Sequence, residues 1–100
     1  MAYDIIHDGV RAEIQLAGEL TFAAHRKFRR VVANLGERSP EQVTFDLSRV
    51  DYIDAAGLGL LLVVRDAVSG SGGHSTLKGA QGQVDRMLTV ARFSDLFQAA

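Results

Sequence analysis

The chain has no cysteine, which excludes disulfides, thiolate metal centres and cysteine catalysis. It also lacks a long hydrophobic run. The longest, Ala55 to Val64, is about half the length a helix needs to cross a bilayer, so no membrane insertion is expected. The start, MAYDIIHDGV, has neither the basic opening nor the apolar stretch of a secretory signal. An excess of charge is missing too: 11 basic and 12 acidic residues leave −1, so no long-range attraction to nucleic acid or an anionic membrane is expected. These absences make a cytoplasmic protein the default expectation.

What is present is apolar material, 47% of the residues, which argues for a packed fold rather than disorder. One hundred residues suit a single domain over 1–100, and a chain this short buries roughly 60–65% of the surface its unfolded form exposes. Tyr3 to His7 reads as a short strand. Asp8-Gly9 is a hairpin turn, and Val10, Ala12, Ile14 and Leu16 then alternate with polar residues as a half-buried strand. Thr21 stands where a helix N-cap belongs. Ala24, Phe28, Val31, Val32 and Leu35 behind it form one helical stripe, with Gly36 as the expected C-cap. Val43, Phe45 and Leu47 alternate as a third strand. A second helix follows, then a Ser69–Gly73 linker, a short strand over His74–Lys78, and a third helix from about Gln81 carrying Val84, Met87, Leu88 and Ala91. Phe93, Leu96 and Phe97 add apolar anchors. The order β-β-α-β-α-β-α implies an α/β fold: a small mixed sheet, with an N-terminal antiparallel hairpin plus parallel strands, flanked by helices.

The most informative stretch is VTFDLSRVDYIDAAGLGLLLVV, Val43 to Val64. A strand runs into Asp54, two alanines and Gly57, and an apolar helix follows. Asp54 sits where a carboxylate caps a helix and meets the positive end of its dipole. Ala55 and Ala56 start the helix, and Gly57 and Gly59 allow a backbone to approach closely. On a helical wheel Leu60, Val63, Val64, Ala67 and Val68 cluster as the expected core face. Leu58 and Leu62 fall among Arg65, Asp66 and Ser69, as expected of two leucines on a solvent face serving as contact anchors.

Other signals carry little chemistry. His7, His25 and His74 lie on three elements without ligand spacing, so no metal site is expected. No serine has a nucleophile-elbow context, and nothing assembles an acid, a base and a nucleophile; an enzyme is not expected, nor a cofactor. The glycine-rich linker follows a helix and precedes a strand, the reverse of a phosphate-cradling loop. Arg26, Lys27, Arg29 and Arg30 gather four of the basic residues on one helix, either as a solvated face or as a surface for an acidic partner.

Phe45-Asp46-Leu47-Ser48 through Tyr52-Ile53-Asp54-Ala55-Ala56-Gly57-Leu58-Gly59 resembles the central signature of the STAS family, the sulfate-transporter and anti-sigma-factor-antagonist domain. Gly18-Glu19-Leu20-Thr21-Phe22 and the Val84–Phe97 segment resemble it as well, so the likeness covers about residues 3 to 97. The resemblance implies a STAS-like fold and a role in partner switching. In bacterial members the domain binds an anti-sigma factor that is also a serine kinase, phosphorylation between the motif's Asp and Gly breaks the complex, and a phosphatase, of the PP2C type, restores it. It implies a contact surface of Asp54, Ala55, Ala56, Gly57, Leu58 and Leu62, with Thr21 and Phe22 nearby. Adding about −1.5 to −2 charges beside Asp54 would repel a partner built to meet the unmodified turn.

Two departures stand out. Ala55 and Ala56 occupy the positions equivalent to the phospho-acceptor, and neither can be phosphorylated. Three readings stay open: a constitutive binder, a chain substituted there to lock the binding form, or a non-switching role. Thr21 and Ser48 are weak surrogate acceptors. Family members also often continue beyond the position of Phe97 into a further strand and helix. The main alternative is a STAS accessory subunit of a lipid-transport ABC complex; nucleotide binding ranks last, for want of a phosphate-cradling loop. The expected state is a monomer.

Overall fold

A computed structural model of the chain describes residues 1–97. β1 (Ala2–Asp8) and β2 (Arg11–Leu20) form the antiparallel hairpin, turned at Gly9 with φ +61°. A 3₁₀ turn (Phe22–Ala24) leads into α1 (His25–Arg38). β3 (Gln42–Ile53), α2 (Ala55–Gly70), β4 (His74–Lys78) and α3 (Gly82–Val90) follow, and a last 3₁₀ turn spans Phe93–Asp95. The sheet order is β1-β2-β3-β4, with β2, β3 and β4 parallel, so the expected mixed α/β sheet is the one formed.

Ala12, Ile14 and Leu16 of β2 and Val43, Phe45 and Leu47 of β3 project from one face of the sheet. They pack with Phe28, Val31 and Leu35 of α1, Leu61, Val64 and Val68 of α2, and Val84 and Leu88 of α3. Phe97 closes this core edge-on against Phe45, with ring centroids 6.4 Å apart. The other face is polar: Glu13, Gln15, Thr44, Asp46, Thr76 and Lys78 alternate with the core positions.

Several expected boundaries moved, each for a local reason. β3 continues six residues beyond Leu47, because two register shifts against β2 each insert an additional residue into β3. Its inward positions therefore step from Leu47 to Val50 to Ile53, and the period of two that marks a strand breaks off at Leu47. Thr21 precedes the 3₁₀ turn rather than α1, and its hydroxyl makes no capping bond. Gly36 lies inside α1; the helix ends at Ser39 in the left-handed conformation (φ 44°), whose N–H donates to the Leu35 carbonyl. Leu96 is partly exposed and is not a core anchor, whereas Phe93 and Phe97 are buried. Among the described residues no helix is long and apolar enough to cross a membrane.

Candidate functional site

β3 delivers Asp54 to the start of α2, where the site is built. The Asp54 carboxylate accepts a 2.8 Å hydrogen bond from the Gly57 N–H, the capping geometry the sequence implies. The Asp54 N–H donates to the Leu20 carbonyl at 3.3 Å, tying the turn to the end of β2. Gly57 is buried under the same carbonyl: a Cβ there would lie 2.0 Å from the Leu20 oxygen and 2.8 Å from Ile53 Cγ1. Only glycine lets α2 start this close to β2. Leu20 is followed by Thr21 and Phe22, so this packing brings the 3₁₀ turn beside the N-terminus of α2. Phe22 is 67% exposed and its ring stacks on that of His25 at 4.8 Å.

The wheel of α2 needs correction. Its core face is Gly57, Leu61, Val64 and Val68; Val63, expected inside, is 54% exposed. Leu58 and Leu62 are not solvent-face leucines. They are half-buried and pack against the core. They share a helix face with Arg65, whose Nε donates to the Leu96 carbonyl at 2.7 Å, so this side of α2 leans toward the C-terminal segment. Of the residues expected on the solvent side, Asp66 and Ser69 are exposed and Arg65 is half-buried. Successive residues turn by about 100°, which puts Gly59 at the centre of the outer face, between exposed Ala55, Val63 and Asp66. A Cβ on Gly59 would meet nothing within 4 Å. The structure thus brings together Thr21, Phe22, Asp54, Ala55, Ala56 and Gly57, and turns Leu58 and Leu62 to one side.

Sequence reasoning passed over Gln83. Its Oε1 accepts from the Ile53 N–H at 3.0 Å and its Nε2 donates to the Ile53 carbonyl at 2.7 Å. Gln81 donates to the Ser48 carbonyl at 3.0 Å. β4 pairs with β3 only as far as Asp46, so these two amides take the place of a neighbouring strand along the rest of β3. They hold the residue immediately before Asp54. No sequence pattern announces this, because the need arises only from the unequal lengths of β3 and β4.

Titration is perturbed on the polar sheet face, away from the turn. The Lys78 ammonium, 2.6 Å from the Glu13 carboxylate, lowers the Glu13 pKa, helped by the Gln15 amide; the same bond raises that of Lys78. Asp46 is lowered by the Ser48 N–H it accepts at 3.0 Å and by the Ser48 hydroxyl. Among the described residues no group of His, Asp and Glu is placed to hold a metal. A hollow of about 740 Å³ lies between β4 and α3 over Leu77, Leu88, Phe93 and Phe97, and contains none of the residues nominated from the sequence.

Comparison with known proteins agrees with this architecture. The model of the STAS domain matches residues 5–100, and the chain belongs to that family. A STAS-domain-containing protein of Pseudomonas aeruginosa is 31% identical over 91 residues, covering 91% of this chain and 89% of the relative. An anti-sigma factor antagonist from Mycobacterium paratuberculosis superposes with a TM-score of 0.84 at 14% identity, over 98% of this chain and 83% of that one. The anti-sigma factor antagonist SpoIIAA in its unphosphorylated form gives 0.72 at 20% identity, over 92% and 83%. A sulfate transporter family protein from Wolinella succinogenes gives 0.76 at 19% identity, over 91% and 74%. At these identities the structural likenesses speak for the fold.

Proposed function

We propose that this chain is an anti-sigma factor antagonist-like regulator that acts by partner switching, as a binding module without an enzymatic step of its own. Its partner is a protein that is both anti-sigma factor and serine kinase, with a PP2C-type phosphatase in the same circuit. The contact surface is the rim of the α2 turn: exposed Ala55 and Val63 with half-buried Ala56 and Gly59 between them, and Thr21 and Phe22 beside them. Asp54 and Gly57 shape the rim from behind, and Leu58 and Leu62 edge it on the side of Arg65. The observation that carries this reading is Gly59. A glycine inside a helix costs roughly 0.5–1 kcal/mol relative to alanine, and among the described residues nothing beyond the helix's own backbone comes close enough to require one. A partner backbone lying on α2 supplies the requirement.

SpoIIAA has been solved in both unphosphorylated and phosphorylated forms. In this chain Ala55 and Ala56 stand at the positions equivalent to the acceptor, so the turn keeps its binding form. A phosphate there would set two negative groups together, because Asp54 already occupies the cap. The test is binding and phosphorylation of this chain and its Ala55→Ser and Ala56→Ser variants with candidate anti-sigma kinases. The expected result is tight binding by the given chain, lost only when a serine variant is phosphorylated. No binding and no phosphorylation of any variant would favour the second reading, an accessory subunit of a lipid-transport ABC complex. That reading draws on the alanines, which need no switch, and on the likeness to a sulfate transporter family protein. Transporter genes beside this one would support it; a kinase or phosphatase gene would support the first.

A further inference from the structure

The first half of α1 carries charge of one sign in a place that does not favour it. Arg26, Lys27, Arg29 and Arg30 are all exposed, while the chain as a whole has a net charge of −1. They occupy the first two turns of the helix, and the first turn holds no acidic residue. The 3₁₀ turn already pairs the Ala24 and His25 N–H groups with the Thr21 and Phe22 carbonyls, so what lowers the stability of the helix is like-charge repulsion: Arg26 faces Arg29 and Arg30 three and four residues on. Among the described residues no ion pair offsets this. The ion pairs among the described residues are Arg65–Asp66 and Glu13–Lys78. Among the described residues Lys27 bonds only the Met1 carbonyl. Arg26, Arg29 and Arg30 make no side-chain hydrogen bond to the described residues; Asp4 and Glu37 border the same shallow hollow as Arg30 without pairing with it. Phe22, exposed and stacked on His25, begins the same outer stripe one turn before Arg26.

We propose that this stripe, Phe22 with Arg26, Arg29 and Arg30, is a docking surface for an acidic protein segment that carries an apolar side chain for Phe22. Guanidinium groups recognise carboxylates through paired N–H donors, and arginine with an exposed aromatic is the composition of an interface anchor. A membrane fits less well: the apolar face of α1, Phe28, Val31 and Leu35, is buried in the core, so only Phe22 remains to enter lipid. The proposal deepens the partner-binding reading by giving the partner its charge, yet it is tested without that partner.

The test uses the ¹⁵N-labelled full chain, titrated with a peptide of about ten glutamates. Chemical shifts should move along Phe22–Ala33, and binding should weaken several-fold as salt rises from about 20 to 300 mM. The Arg26→Glu/Arg29→Glu/Arg30→Glu variant should lose the shifts while the rest of its spectrum stays that of the folded parent. A second peptide with a central leucine should bind more tightly to the parent but not to Phe22→Ala. Shifts that persist in the charge-reversed variant, or an equal gain from leucine in Phe22→Ala, would overturn the proposal. So would sedimentation with phosphatidylglycerol vesicles in the absence of peptide shifts, which would assign the stripe to a membrane. If the kinase tests fail while the peptide binds as described, the acidic docking surface stands and only the switching circuit falls.

Discussion

A methyl group placed on Gly57 would sit 2.0 Å from the Leu20 carbonyl oxygen, whereas one on Gly59 would meet nothing within 4 Å. The two glycines lie two residues apart on α2 and answer to different neighbours. Gly57→Ala forces the helix off β2 against backbone atoms, which cannot rotate aside; a loss of about 1–3 kcal/mol or more is expected in thermal or denaturant unfolding. Gly59→Ala should do the opposite, raising stability by about 0.5–1 kcal/mol through helix propensity alone. If the outer face of α2 meets a partner, the same substitution should weaken binding while the fold gains. A Gly59→Ala chain that is more stable and binds its partner equally well would remove Gly59 from the contact. Asp54→Ala should cost about 1 kcal/mol, the usual worth of an N-cap, because it strips the Gly57 N–H of its acceptor.

Among the elements, α3 has a task its own sequence does not advertise. Gln83 and Gln81 run alongside β3 where β4 has ended, and Gln83 bonds both polar groups of Ile53. The turn at Asp54 is therefore held from two sides, by Leu20 of β2 and by Gln83 of α3. Gln83→Leu leaves the partly buried Ile53 N–H and C=O without these partners, at an expected cost of about 1–3 kcal/mol. Amide hydrogen exchange checks the mechanism: protection at Ile53 should fall while protection along α1 stays. Equal loss of protection everywhere would show that Gln83 acts only through global stability. On α2, Leu62→Glu should lower the melting temperature, because Leu62 packs against the core rather than facing solvent.

For the molecule as a whole, one face of the sheet is covered by helices and the other is a polar surface on which Glu13 pairs with Lys78 across β3 and with Gln15 along β2. Glu13 has a folded pKa below its ordinary value, so its contribution to stability is present at neutral pH. That contribution is lost as pH falls below the usual glutamate range, near 4.3, through the lowered folded value. Asp46 contributes in the same direction and the same acid window. Lys78, raised, contributes below its ordinary value near 10.4, and the gain is lost as pH climbs through the raised one. Melting temperature followed from pH 7 to 3 should therefore fall less steeply for Glu13→Gln than for the parent. Parallel curves would mean that solvent screening leaves the Glu13–Lys78 pair without a measurable share.

The sequence by itself determined the order of elements, the hairpin at Asp8-Gly9, the stripe of Phe28, Val31 and Leu35, and the cap at Asp54. Each of these is written in local periodicity or in a residue whose chemistry suits one backbone position. The family signature around Asp54 was legible for the same reason. Tertiary structure decided the rest. The far half of β3 was hidden because two inserted residues break its alternation. The inner face of α2 could not be read from a helix apolar on most of its sides: Leu58, Leu60, Leu61, Leu62, Val63 and Val64 fit several orientations, and only the approach of Gly57 to Leu20 fixes one. Gln83 gained its role from a strand that ends early beside one that does not. Where a side chain's partner lies thirty residues away, the sequence names the donor and the acceptor, and packing alone brings them within a hydrogen bond.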